Sequence, residues 1–272
     1  MGQEAGRAPA PPPQREGLIA RQRLGQHFLI RGSVLERIAA AACPKPTDLV
    51  IEIGPGRGAL TARLLERAAR VVAIELDACL VEHLRRKFAA EPRLEILHQD
   101  VLETDLAQWG TAPIAGNLPY YISSPILERV TRVTPPRAVF LIQYEVAERL
   151  VATPGTREYG FLTLQTGVRM EVRLLFTVKP AAFHPPPNVD SAVVLLQPRL
   201  HLPDVGAVDA FLKFVAQCFR HKRKTLRNNL AEVYGKELVD AWPEASLRAE
   251  QLSIDQFAEI YRRIMPPPAP AA

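Results

Sequence analysis

Leu49-Val50-Ile51-Glu52-Ile53 runs directly into Gly54-Pro55-Gly56-Arg57-Gly58, and a helical pattern through Leu60, Leu64 and Leu65 follows. The β-branched run reads as a buried strand. Glycines reverse the chain in conformations closed to other residues, and a helix starting at that turn makes a βα unit of an open α/β sheet. Such a turn lets a nucleoside cofactor come close to the backbone. Pro55, between the first two glycines, fits a dinucleotide pyrophosphate loop poorly. Glu52 offers an acceptor for a polar group of the cofactor.

The unit repeats. Val71-Val72-Ala73-Ile74 is a second strand ending in Glu75-Leu76-Asp77. An acid at that tip accepts from both ribose hydroxyls, a feature shared by NAD and S-adenosylmethionine sites. Asp77 reads as the N-cap of a helix through Leu80, Leu84 and Phe88. Leu94-Glu95-Ile96-Leu97 is the third strand. Asp100, just past it, either accepts from an adenine amino group or caps its own loop. The run Ala112 to Ala115 is the fourth strand and Ala138 to Tyr144 the fifth. This β-loop-α order, with polar residues at the strand ends, is the doubly wound α/β pattern.

Gly116-Asn117-Leu118-Pro119-Tyr120-Tyr121 follows the fourth strand. Ile122-Ser123-Ser124-Pro125 then reads as a turn into a helix, with Ser as cap and Pro at the first helical position. These residue types suit methylation of an exocyclic amine such as N6 of adenine, a poor nucleophile whose lone pair is delocalised into the ring. Acceptors aimed at its two hydrogens favour a pyramidal nitrogen, and the Asn117 oxygen with a backbone carbonyl near Leu118 can supply them. Pro119 stiffens the turn. Tyr120 offers a face for stacking a flipped base. The plainer reading is a β-turn in which Asn caps and Tyr packs.

Composition narrows the partners. Net charge is +5, with 27 Arg against 7 Lys. That allows an anionic partner, and arginine is the better residue for bidentate phosphate contacts; richness in Arg, Ala and Pro is equally a mark of genome composition. Cys43, Cys79 and Cys218 are far apart and form no metal-ligand pair, which points to a reducing compartment. No metal site is expected. No apolar run reaches the ~20 residues of a membrane span, and the first sixteen residues lack a signal-peptide core. The expectation is a cytoplasmic protein without a membrane partner. Residues 1–16 and 266–272, rich in Pro and Ala, read as disordered tails.

Arg21-Gln22-Arg23-Leu24-Gly25-Gln26-His27-Phe28-Leu29 combines two arginines, a glycine, amides and an aromatic ring. It reads either as the border of a cofactor mouth touching phosphate or as a surface loop before a helix at Ser33 to Ala42, and Arg21 and Arg23 are expected among the RNA contacts. The proline-rich stretch from Pro180 to Asp190 is a stiff connector before the strand Ala192 to Leu196. After Pro203 the period turns helical, with Phe211, Leu212, Val215 and Phe219 on one face. Arg220, Lys222, Arg223, Lys224 and Arg227 are expected on the same helix, as a solvated basic face or, more in keeping with a base pocket nearby, as RNA phosphate contacts. Trp242, Leu247, Leu252, Phe257 and Ile260 mark the core of a small helical domain.

Together these segments resemble the S-adenosylmethionine-dependent rRNA adenine N6-dimethyltransferases of the KsgA type, from about Gly17 to about Ile264. The resemblance rests on Leu24-Gly25-Gln26-His27-Phe28-Leu29, Glu52-Ile53-Gly54-Pro55-Gly56, Ile74-Glu75-Leu76-Asp77, Gly116-Asn117-Leu118-Pro119-Tyr120 and Gln143-Tyr144-Glu145-Val146-Ala147-Glu148-Arg149-Leu150. Further on come Pro154-Gly155 with Tyr159-Gly160, Phe183-His184-Pro185-Pro186-Pro187-Asn188-Val189-Asp190-Ser191-Ala192-Val193, and Arg223-Lys224-Thr225-Leu226-Arg227-Asn228-Asn229-Leu230. The resemblance implies that His27 and Leu29 border the methyl donor, that Gly54 lies under its amino-acid end, that Glu75 holds the ribose and Asp100 the adenine. It implies that Asn117 sits where donor and amine meet, that Tyr120 stacks the target adenine, and that Phe183 is the second wall. His27 stands where Asn is usual, and Tyr144 and Asn188 where Lys is common; none of these falls on the methyl-transfer residues.

The expected architecture is a Rossmann-like, seven-stranded class I S-adenosylmethionine methyltransferase domain over residues 17–200, with a small all-α domain over 201–265 that selects the RNA. Asn117, Leu118, Pro119 and Tyr120 carry the chemistry. The expected substrate is two adjacent adenines in the 3′-terminal hairpin loop of 16S rRNA, within the 30S subunit or its precursor, and the protein is expected to be a monomer. The alternatives are a 23S rRNA enzyme of the antibiotic-resistance type, a DNA adenine methyltransferase, a largely non-catalytic checkpoint on the small subunit, and, more remotely, a nicotinamide dehydrogenase.

Overall fold

A computed structural model describes residues 27–264. Arg21, Arg23 and the two expected tails lie outside the described residues.

Seven strands form one sheet in the order β4-β3-β2-β5-β6-β9-β7. Their ranges are β2 Thr47–Ile53, β3 Ala68–Glu75, β4 Leu94–His98, β5 Ile114–Asn117, β6 Ala138–Gln143, β7 Met170–Val178 and β9 Ser191–Pro198. Pairings among β2, β3, β4, β5 and β6 are parallel, and β9 runs antiparallel to both β6 and β7. The Rossmann-like reading is correct. Strand order reverses beside β2, so the ends of β2, β3 and β5 open a crevice where such sheets bind ligands.

Alternate residues of the strands feed two cores, one on each face, as helices on both faces require. Ile51, Ile53, Ile114, Phe140 and Val194 pack on one side with Ile126, Leu127 and Val130 of helix Ser123–Val133. Val50, Val71, Ala115, Val139 and Val193 pack on the other with Ile38 of helix Gly32–Ala42 and Leu64 of helix Ala59–Leu65. A two-stranded sheet joins β1, Phe28–Leu29, to β8, Phe183–His184, with Leu29 opposite Phe183. This strap ties the segment before the first helix to the proline-rich stretch.

A third core belongs to the C-terminal helices Val208–Cys218, Leu226–Tyr234, Lys236–Asp240 and Ile254–Ile264. Phe211, Phe214, Trp242, Phe257 and Tyr261 fill it, and Tyr159, Leu164 and Val168 join from upstream. The Tyr159 hydroxyl donates to the Leu252 carbonyl at 2.8 Å. Packing across residue 200 is therefore continuous.

Local expectations need three corrections. Gly116 and Asn117 belong to β5 rather than following it. Ser123 is the first residue of its helix, not its cap; its hydroxyl donates back to the Pro119 carbonyl at 3.0 Å, and Pro125 sits two residues further in. The basic cluster does not share a helix with Phe211: that helix stops at Cys218, and the cations lie on the turn after it, with Arg227 on the next helix. Asn229 is the reason. Its buried amide donates to the carbonyls of Cys218 at 2.8 Å and His221 at 3.3 Å and accepts from the His221 N–H at 3.2 Å, so the turn has its own partners in place of helical ones.

Candidate nucleoside and base site

The crevice holds a cleft of about 350 Å³, lined by His27, Leu29, Glu52, Gly54, Glu75, Asn117 and Tyr120 among others. A smaller recess of about 60 Å³ adjoins it, sharing Gly54, Glu75 and Pro119 and adding Leu76, Asp100 and Tyr121.

Gly56 explains why the turn after β2 needs glycine. Its φ is +56°, and the Phe28 ring lies 3.1 Å from where a Cβ would stand. A side chain there would meet both a strained backbone and the strap. The bare backbone brings the Gly56 N–H within 3.0 Å of Glu75 Oε2.

Glu75 Oε1 accepts from the N–H groups of Leu76 and Asp77, each at 3.0 Å. Burial raises its carboxyl above the usual range, and the three N–H groups oppose the rise. The carboxylate is held rigidly, and Oε2, with a single N–H, keeps an acceptor site toward the cleft. Asp77 is the helix cap that the sequence suggests, accepting from Cys79 at 2.8 Å and Leu80 at 3.3 Å. Asp100 caps its own loop, its Oδ1 accepting from the Leu102 N–H at 2.8 Å, and the residue also lines the smaller recess.

Glu52 is 1% exposed. Its Oε2 has no hydrogen-bond partner, and burial pushes its carboxyl up to about 8. A buried, unpartnered acceptor is costly unless a ligand completes it. Lys87, on the same cleft, donates to the Arg57 carbonyl at 2.8 Å.

Asn117 ends β5 with its Nδ2 donating to the His27 carbonyl at 3.0 Å. Leu118 is anchored by its N–H on the Leu141 carbonyl at 3.0 Å and buries its side chain. The rings of His27 and Tyr120 lie 5.6 Å apart, and His27 Nδ1 is 2.9 Å from the Pro185 carbonyl. Tyr120 Oη is 2.7 Å from Ser191 Oγ.

Of the expected site residues, His27, Leu29, Gly54, Glu75, Asn117, Leu118, Pro119 and Tyr120 all line the main cleft. Phe183 does not. Its ring is 3% exposed and packs in the core with Leu29 and Leu35, because its register against Leu29 turns it inward; His27 is the aromatic residue facing Tyr120. Of the expected RNA contacts, Arg227 pairs with Asp240 at 2.6 Å, and Lys222 donates to the Arg157 carbonyl and lies 3.8 Å from Glu250. Among the described residues, Arg220, Arg223 and Lys224 have no acidic partner and are exposed. Tyr121 and Ser191 were not singled out in the sequence, though both lie inside motifs that were.

Residues 17–265 match the model of the family described as ribosomal RNA adenine dimethylase. The chain is 41% identical over 271 residues to the ribosomal RNA small subunit methyltransferase A of Geobacter metallireducens, covering 92% of this chain and 97% of that one. It is 39% identical to the protein of that name from Thermosynechococcus vestitus, covering 90% and 98%. Among solved structures, a dimethyladenosine transferase from Plasmodium falciparum superposes with a TM-score of 0.72 at 27% identity, covering 86% of this chain and 96% of that one. The 23S rRNA methyltransferase ErmE superposes with a TM-score of 0.66, also at 27% identity, covering 87% and 99%.

Proposed function

This chain belongs to the ribosomal RNA adenine dimethylase family, and from that premise we propose that it transfers methyl groups from S-adenosylmethionine to N6 of two adjacent adenines near the 3′ end of small-subunit rRNA, two methyls to each. The enzyme is an rRNA methyltransferase. One observation carries the site assignment: Asn117 is tied by its NH₂ end to the His27 carbonyl beside the ring of Tyr120, so its oxygen is available to a base lying on that ring.

The residues present fit the donor. The cleft lies in the size range of small-molecule sites. Glu52, which lines the cleft, would meet the ammonium of the donor's amino-acid end, with Gly54 beneath it. Glu75 would take a ribose hydroxyl and Asp100 the adenine amino group in the smaller recess; Leu29 and His27 would border the donor. Bound there, S-adenosylmethionine supplies an electrophilic methyl group.

The chain's own residues then prepare the amine. Asn117 Oδ1 and the Leu118 carbonyl accept its two hydrogens and hold the nitrogen pyramidal, with its lone pair free of the ring. Pro119 fixes the turn that sets the two acceptors. Tyr120 stacks the flipped base. The acceptors and the stacked ring stabilise the positive charge that grows on nitrogen, and the surplus proton leaves to water. Exposed Arg220, Arg223 and Lys224 contact RNA phosphates. The assembled small subunit or its precursor is the substrate, and the protein works as a monomer in the cytoplasm; no helix among the described residues is long and apolar enough to cross a membrane.

A second reading, methylation of large-subunit rRNA, draws on the likeness to ErmE. The higher identity to small-subunit relatives, over nearly their whole length, favours the first. Nucleoside mass spectrometry tests it. Unmethylated small subunits treated with protein and donor should yield dimethyladenosine, whereas donor binding without any methylated nucleoside would favour the checkpoint reading.

A further inference from the structure

Tyr120 is held at both ends. Its backbone follows Pro119 at the start of a short 3₁₀ turn, Tyr120–Ile122. Its phenolic oxygen lies 2.7 Å from Ser191 Oγ. Ser191 is fully buried. It is the first residue of β9, where it faces Gln143 of β6 on one side and Val178 of β7 on the other. A hydroxyl on a strand paired along both edges is a fixed point. Asp190, just before it, accepts the Tyr144 N–H on its carbonyl at 3.0 Å and forms an ion pair with Lys179. The far end of the proline-rich stretch is thereby clamped where it meets the sheet.

A tyrosine held only through its backbone is free to change its χ1 rotamer and to turn about χ2, a torsion whose well is broad. A hydrogen bond at the far end of the ring removes that freedom. A stacked base needs one ring plane, because stacking depends on parallel faces, and loss of alignment at a reacting centre is costly in rate. We propose that Ser191 is a positioning residue: it fixes the ring plane of Tyr120 through its hydroxyl, and so sets the orientation in which the target base presents its exocyclic amine. Ser191 touches neither base nor donor in this scheme. The inference rests on the stacking role given to Tyr120 above.

Tyr120→Phe removes the same bond from the other end, leaves the stacking ring and does not alter β9. It therefore guards against a Ser191→Ala protein that merely folds badly. Single-turnover methylation of unmethylated small subunits should slow by about tenfold in each variant, the scale of one lost hydrogen bond, with the KM for S-adenosylmethionine unchanged. The double variant should be no slower than either single one, because one bond is being removed twice. A 2-aminopurine placed at the target position should be quenched by the wild-type protein and less quenched by both variants, a readout that a purely structural role would not move. Wild-type rate and quenching in both variants would overturn the inference and leave the function standing. Additive losses in the double variant would also overturn it, since the two hydroxyls would then act separately. A wild-type protein that neither methylates nor quenches would overturn the stacking role and this inference with it.

Discussion

Asn117 Nδ2 donates to the backbone carbonyl of His27 at 3.0 Å, across 90 residues of sequence. A carbonyl can only accept, so the NH₂ end of the amide is committed to the residue that leads into β1, and Oδ1 is left as the acceptor. The residue entering the strap of β1 and β8 thus fixes which end of the amide stays free.

Asn117→Ala should lower methyl transfer by roughly 10²–10³-fold, the scale for loss of one aligned polar group at a developing charge, while RNA binding persists. Asn117→Asp should fail similarly, because an ionised carboxylate cannot donate to the His27 carbonyl. Filter binding and single-turnover rates measured together check this; retained turnover in either variant would remove Asn117 from its role.

Glu52 should make donor binding depend on pH. Burial lifts its carboxyl from the ordinary 4.5 to about 8. Across that interval the unfolded chain holds fewer protons than the folded one, so the donor-free protein loses stability as pH rises. An ammonium placed against Glu52 restores the ionised form, so binding near neutral pH should release a proton. Calorimetry in two buffers of different ionisation heat should detect the release, and Glu52→Gln should abolish it and weaken binding. A variant that binds as tightly as the wild type would place the ammonium elsewhere.

The sequence shows six of the seven strands as short apolar runs ending in polar residues; it does not show β7, Met170–Val178, where Glu171 and Arg173 break the run. It made the cleft legible because Gly54, Glu75, Asn117 and Tyr120 each follow or end such a run. It did not show the β1–β8 strap, in which two-residue strands carry no periodicity to detect. For the same reason Phe183 looked available to the base when its register buries it against Leu29. The basic turn was read as helix because Phe211 to Phe219 keeps a helical period. The interruption comes from Asn229, eight residues beyond His221, a tertiary contact that no local pattern encodes.

Gly116→Ala should destabilise the protein although its backbone is ordinary extended strand. An added Cβ would stand 2.4 Å from the Ile53 carbonyl oxygen, and Ile53 is its partner across β2 and β5. The obstructing atom is backbone of the paired strand, which leaves little room to yield, so a cost of about 2–3 kcal/mol is expected from overpacking. Urea unfolding measures it; an unchanged midpoint would show that the two strands can part without penalty.

Arg223 and Lys224 should govern the salt dependence of RNA binding. Replacing both with Ala should reduce the slope of log affinity against log salt by about two, one per lost phosphate contact. Asn229→Ala, which leaves the charges but releases the turn, should weaken binding with a smaller change in slope. An unchanged slope in the double variant would move the RNA surface away from this turn.

The methylated base identifies the enzyme's substrate directly. Radiolabelled S-adenosylmethionine should be offered with unmethylated small subunits, naked small-subunit rRNA, large-subunit rRNA and duplex DNA in parallel, and the labelled nucleotide mapped. Label is expected as N6-dimethyladenine at two adjacent adenines near the 3′ end of small-subunit rRNA. Label on large-subunit rRNA or on DNA, with none at that position, would contradict it.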